Sequence, residues 1–158
     1  MRAAGQPNEY MQEPEYADNL MGPLAALNIG DPARLGVGRA NYRTADPEML
    51  AALKAATMAD VTDERFRAFL NTLQPDESMG VMTSDARVRA DTWGTIPRTY
   101  VRLTGDRSIP VAMQDRLIAE ADALTPGNPY DVHTLDTSHA GFIFRADEVA
   151  AILDGLTV

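Results

Sequence analysis

Asp106 and His139 are the side chains of this 158-residue chain whose types and placement best suit chemistry. A carboxylate that holds an imidazole in one tautomer, and steadies its protonated form, makes that imidazole a general base. It can then take the proton of a serine hydroxyl in acyl transfer. The two residues stand 33 positions apart, each in a loop that follows a predicted strand. One strand-to-strand excursion separates them, so in a parallel sheet their loops are neighbours. They would meet at the carboxyl ends of the strands, where sites form in open α/β sheets.

Blander readings fit the same residues. Asp106 in Thr104-Gly105-Asp106-Arg107-Ser108 suits an ordinary turn aspartate as well as an acid. His139, between Ser138 and Ala140, suits a satisfied structural histidine equally well. His133 falls inside a predicted strand and reads as a surface or packing residue. Gly36-Val37-Gly38 lacks the preceding strand and third glycine of a dinucleotide fingerprint. The 8 methionines read as core filler or a plastic surface.

The elements that must position the pair follow from periodicity and punctuation. Thr99 to Leu103 is rich in β-branched and aromatic residues and predicts a strand. Ser108 and Pro110 open a helix to about Leu124, expected to bury Leu117, Ile118 and Ala121. Pro126-Gly127-Asn128-Pro129 is a turn cluster. Tyr130 to Leu135 predicts a second strand, Asp136 to Ala140 a loop, and Arg145 to Leu156 a terminal helix with Val149, Ile152, Leu153 and Leu156 on one face. Helical crossovers between the strands imply a parallel pair.

The first half reads differently. Residues 1–46 predict extended coil with one short helical piece, around Tyr16 to Leu27. Asp46 caps a helix to about Met58, with Pro47 in its first turn. A second helix runs from about Thr62 to Leu73, where Phe66, Phe69, Leu70 and Leu73 form one stripe. An irregular connection follows, from Asp76 to about Gly94.

Composition bounds the rest. One domain is the expectation at this length, and 45% apolar residues can fill a core. The formal charge is −9, with 14 Lys+Arg against 23 Asp+Glu. That balance argues against nucleic acid, which needs a basic patch, and against an anionic membrane surface. Without cysteine there is no disulfide, thiolate nucleophile or zinc-thiolate site. Met1 to Tyr10 contain no apolar stretch of the secretory kind, and no apolar run approaches about 18 residues. The expectation is a soluble, cytoplasmic protein.

A longer pattern adds to this. Trp93-Gly94-Thr95-Ile96-Pro97-Arg98-Thr99-Tyr100-Val101-Arg102-Leu103-Thr104-Gly105-Asp106-Arg107-Ser108-Ile109-Pro110 resembles a segment of the α/β-hydrolases, in the bacterial branch related to plant methylesterases and hydroxynitrile lyases. Gln114 occupies that pattern's glutamine place, and Leu135-Asp136-Thr137-Ser138-His139-Ala140-Gly141-Phe142 resembles its histidine loop. The resemblance implies an α/β fold, the C-terminal portion of an α/β-hydrolase plus a helical cap. It puts the triad acid on Asp106 and the triad histidine on His139, in the family's chain order. Residues 1–90 would be the cap or lid region, mostly helix and coil, and residues 91–158 the α/β portion carrying the acid and the histidine. Phe66 and Phe69 are candidates for an apolar pocket under the cap, or for its core.

The family's nucleophile elbow, G-x-S-x-G, does not occur in these residues, nor does its oxyanion-hole glycine motif. Both are expected upstream of Met1, which then reads as an internal methionine of a longer protein, through a truncated reading frame, a proteolysed or split enzyme, or a natural half. The expected function is a serine hydrolase acting on a carboxylic ester or similar small acyl substrate, with this chain supplying cap, acid and histidine. It needs a partner, an N-terminal half or a homodimer twin, and no metal or organic cofactor. A non-catalytic interaction module on a half fold, or a lyase or cyclase on the same scaffold, are the alternatives.

Overall fold

A computed structural model of the chain describes residues 7–80, 84–85 and 87–156. Met1 to Gln6, at the head of the stretch read as free of a signal, lie outside the described residues. Among the described residues the architecture is mixed α/β, with two small sheets and helices around them.

The α/β half follows the sequence reading closely. Strand β3 (Thr99–Leu103) pairs in parallel with β4 (Asp131–Leu135), with Thr99 opposite Asp131 and Leu103 opposite Leu135. Helix α4 (Val111–Leu124) makes the crossover. Thr104 N donates to Leu135 O at 3.0 Å, so the backbone of Leu103 faces away from β4. There the buried Gln114 meets it: Leu103 N donates to Oε1, and Nε2 donates to Leu103 O and Ile109 O, each at 2.9 Å. Gln114 thus ties the strand end, the loop beyond it and the helix into one unit. At the other end of β3 the Arg98 guanidinium lies 3.9 Å from the Trp93 ring centroid, and Nη2 donates to Thr125 Oγ1 at 2.6 Å.

One burial expectation needs correction. Helix α4 buries Met113, Gln114 and Ala121, while Leu117 and Ile118 are half-buried. Terminal helix α5 (Ala146–Gly155) buries none of its residues, and Leu153 is 60% exposed. A sheet two strands wide is too narrow to cover both apolar stripes.

The core sits elsewhere, among the first-half helices. Helix α2 (Pro47–Thr57) starts as its cap predicts: Asp46 Oδ1 accepts from Glu48 N at 2.9 Å and Met49 N at 3.3 Å. Helix α3 (Asp63–Leu70) is capped by Thr62. It stops at Leu70 rather than Leu73, where Thr72 Oγ1 turns back to donate to Phe69 O at 2.7 Å. Leu24, Leu27, Leu53, Ala56, Met58, Val61, Phe66 and Leu70 form one buried cluster. Of the predicted stripe, Phe66 and Leu70 are buried in this cluster, whereas Phe69 and Leu73 pack at its edge.

The opening segment is more structured than expected. In place of one helical piece there are three 3-10 turns, at Pro7–Gln12, Pro14–Tyr16 and Gly22–Leu27. A short helix α1 (Pro32–Leu35) ends at Gly36, whose φ of 72° is the left-handed conformation glycine adopts freely. The Gly36-Val37-Gly38 signal is therefore a helix stop leading into strand β1 (Val37–Arg39). β1 pairs antiparallel with β2 (Asp76–Ser78), clasped by Arg39 and Asp76 through bonds of 2.5 and 2.6 Å. Both strands were invisible to periodicity. They are three residues long, and Gly, Asp and Ser are poor strand formers.

Candidate active site

The loops after β3 and β4 touch directly. Gly105 N donates to Thr137 O at 3.0 Å. A Cβ at Gly105 would stand 3.0 Å from that same carbonyl oxygen, so a side chain there would push the loops apart. This close approach delivers Asp106 to His139. Asp106 is buried, and its Oδ1 accepts from Ser108 N and Ile109 N, both at 2.8 Å. Its Oδ2 lies 2.9 Å from His139 Nδ1.

The chemistry of the pair follows from this occupancy. A carboxylate oxygen accepts, so Nδ1 is the ring's donor, and a neutral ring then carries its free lone pair on Nε2. The His139 side chain is 40% exposed, against 4% for Asp106. Acid in the wall and ring at the surface is the arrangement in which an imidazole can exchange protons with something bound beside it.

That something has room. An apolar cavity of about 520 Å³ is lined by His139 and Ala140 together with Met21, Leu24, Leu27, Phe69 and Leu73. Phe69 lines this cavity, while Phe66 lies in the core.

Other titratable groups sort clearly. Burial pushes the Tyr100 phenol up to about 12, with the Asp106 charge adding to it. Burial likewise raises Tyr16, again with a contribution from Asp106. Both phenols stay protonated beside the acid, and neither was singled out from the sequence. His133 sits opposite Val101 in mid-strand, with Nε2 3.0 Å from Asp131 Oδ2, and does not enter the site.

Neither nearby serine is free to act as nucleophile. Ser108 Oγ donates to Ala56 O at 2.9 Å, and Ser138 Oγ donates to Asp60. Asp60 also accepts from Thr137 Oγ1 at 2.6 Å. It was missed from the sequence because it lies in the short turn between two helices, with nothing local to mark it.

No protein-family model matches the chain, and no curated protein matches its sequence. Solved structures do resemble it. A pyrethroid hydrolase from Sphingobium faniae JZ-2 superposes with a TM-score of 0.64 at 18% identity, over 98% of this chain and 57% of that one. A structure of the pyrethroid hydrolase PytH with BIF gives 0.59 at 19% identity, over the same shares. The chain thus has a hydrolase-like α/β fold and spans little more than half the length of these neighbours.

Proposed function

We propose that this chain is the cap, acid and histidine part of a serine hydrolase of the α/β-hydrolase type, acting on a carboxylic ester or similar small acyl compound. The observation that carries the reading is the Asp106–His139 hydrogen bond at the rim of an apolar cavity. The fold-level likeness to two pyrethroid hydrolases supports it.

In this reading His139 Nε2 takes the proton of an attacking serine hydroxyl, and the imidazolium so formed is stabilised by Asp106. The same proton then passes to the leaving alkoxide. Residues 1–90 act as the cap whose cavity takes the apolar part of the substrate. Residues 91–158 hold the acid and the base. The serine and the oxyanion donors come from a further, N-terminal segment that packs beside β3, the strand next to the site. The narrow sheet and the uncovered stripe of α5 favour such a neighbour.

Sequencing the DNA upstream of the Met1 codon tests this. An in-frame G-x-S-x-G segment is expected, and the joined protein should turn over an aryl ester in a His139-dependent way. A joined protein that keeps its turnover after His139→Ala overturns the reading.

A further inference from the structure

The bond from Asp106 fixes only one atom of the His139 ring. The loop that carries the histidine has no regular structure, so something else must hold its backbone still. The structure shows what does. Asp60 sits in the turn between α2 and α3 and reaches across to that loop. Its Oδ2 accepts from Thr137 Oγ1 at 2.6 Å, and its Oδ1 accepts from Ser138 N at 3.3 Å and from Ser138 Oγ. On the other side of the histidine, Ala140 N donates to Thr57 O at 2.8 Å. The residues flanking His139 are therefore tied from both directions to the C-terminal end of α2.

The fit is close. Thr137 and Ser138 are fully buried. A Cβ at Gly141 would stand 2.5 Å from both Asp60 Oδ1 and Thr137 Oγ1, so the bare glycine lets the carboxylate reach the loop. Burial pushes the Asp60 carboxyl upward, but the Ser138 and Thr137 hydroxyls and the Ser138 N–H outweigh it and hold the group below its ordinary range. It is an anion at neutral pH, able to accept all three bonds at once.

We propose that Asp60 is a positioning residue for His139, coupling the helices over the cavity to the orientation of the imidazole. The proposal rests on the hydrolase reading of the Asp106–His139 pair. It makes a displacement of the α2–α3 turn a displacement of the base.

Because the chain has 2 histidines, long-range nitrogen-15 imidazole spectra of the full chain resolve both, with His133 as internal reference. The wild type should show His139 as the Nδ1–H tautomer. Asp60→Ala should lose that dominance and give a tautomer mixture, with His133 unmoved. Asp60→Asn, which keeps an acceptor oxygen, should restore most of the Nδ1–H signature. If Asp60→Ala lowers the melting temperature but leaves the His139 tautomer intact, Asp60 is only a structural tie and the proposal falls. If Asp60→Ala does not fold, Thr137→Val combined with Ser138→Ala removes the two hydroxyl bonds from the other side. Loss of the tautomer there supports the proposal, and its retention overturns it. A wild type without the Nδ1–H tautomer fails earlier, at the Asp106–His139 reading, and so separates the two.

Discussion

His139 Nδ1 stands 2.9 Å from Oδ2 of Asp106, while Oδ1 of the same carboxylate is held by the amides of Ser108 and Ile109. One oxygen anchors the acid to its own loop and the other orients the base from the neighbouring loop. This division of labour makes substitutions at Asp106 separable.

Asp106→Ala should destabilise the chain, because it strips the buried Ser108 amide of its acceptor. An orphaned buried donor costs about 1–3 kcal/mol. Asp106→Asn should cost less, since Oδ1 can still face the two amides. That placement turns the Asn Nδ2 group toward the ring, and His139 should then switch to the Nε2–H tautomer. Urea unfolding reads the first effect and nitrogen-15 imidazole shifts the second. An unchanged tautomer in the Asn variant would argue that the pair is not coupled.

Activity should be absent from the chain alone. Loss of the nucleophile from a triad costs on the order of 10⁶ in turnover. The hydroxyls of Ser108 and Ser138 are committed to Ala56 O and Asp60. Assay of the purified chain with an aryl acetate should show no enzyme-like rate. Enzyme-like hydrolysis abolished by Ser108→Ala or Ser138→Ala would reveal a recruited nucleophile and defeat the assignment.

Phe66 and Phe69 should separate core from pocket. Phe66 is buried at the centre of the α2–α3 cluster, so Phe66→Ala should cost about 3–5 kcal/mol. Phe69 is half-buried and lines the cavity beside His139, so Phe69→Ala should cost clearly less and enlarge the space for an apolar ligand. Denaturant melts of the two variants, compared side by side, check the order. Equal losses would place Phe69 in the core.

Acid should weaken the fold in a defined way. The carboxyls of Asp60 and Asp115 are held below their ordinary value of 3.8, Asp115 by the Arg102 guanidinium, whose bonds to it are 2.6 and 2.9 Å. A group depressed in the folded state binds its proton more readily when unfolded. Its stabilising share is therefore complete above about pH 4 to 5 and is lost as the pH falls through the folded value. Melting temperature against pH should drop over that acid range, and Asp60→Asn should shrink the drop. A profile identical in both proteins would exclude Asp60 as a contributor.

Assembly is the remaining expectation. The described residues form a β3–β4 sheet of two strands, and a two-stranded sheet is marginal without further cover. Leu153 is 60% and Ile96 58% exposed. Light scattering on the purified chain should give a mass above the 17.2 kDa of one copy, or a complex with an N-terminal half when that is supplied. A cooperatively melting 17.2 kDa monomer would show that the core around Leu53, Phe66 and Leu70 suffices unaided.

What the sequence determined by itself was local. The Thr99–Leu103 strand, the Asp46 cap and the order of strand, loop, helix, strand and loop follow from side-chain type and spacing, which act over a few residues. The same order brought Asp106 and His139 to adjacent loops, because a parallel crossover leaves little choice. Tertiary structure decided everything that depends on distant partners. β1 and β2 form where residues 37–39 meet residues 76–78 across a long excursion, and neither strand carries an apolar alternation that would announce it. Whether Leu117, Ile118 and Leu153 are buried depends on the width of the sheet beneath them, which no helix encodes. The role of Asp60 is of the same kind. A polar turn residue becomes the anchor of the histidine loop only when folding places Thr137 and Ser138 against it, since a hydrogen bond needs an approach of about 3 Å that sequence distance does not reveal.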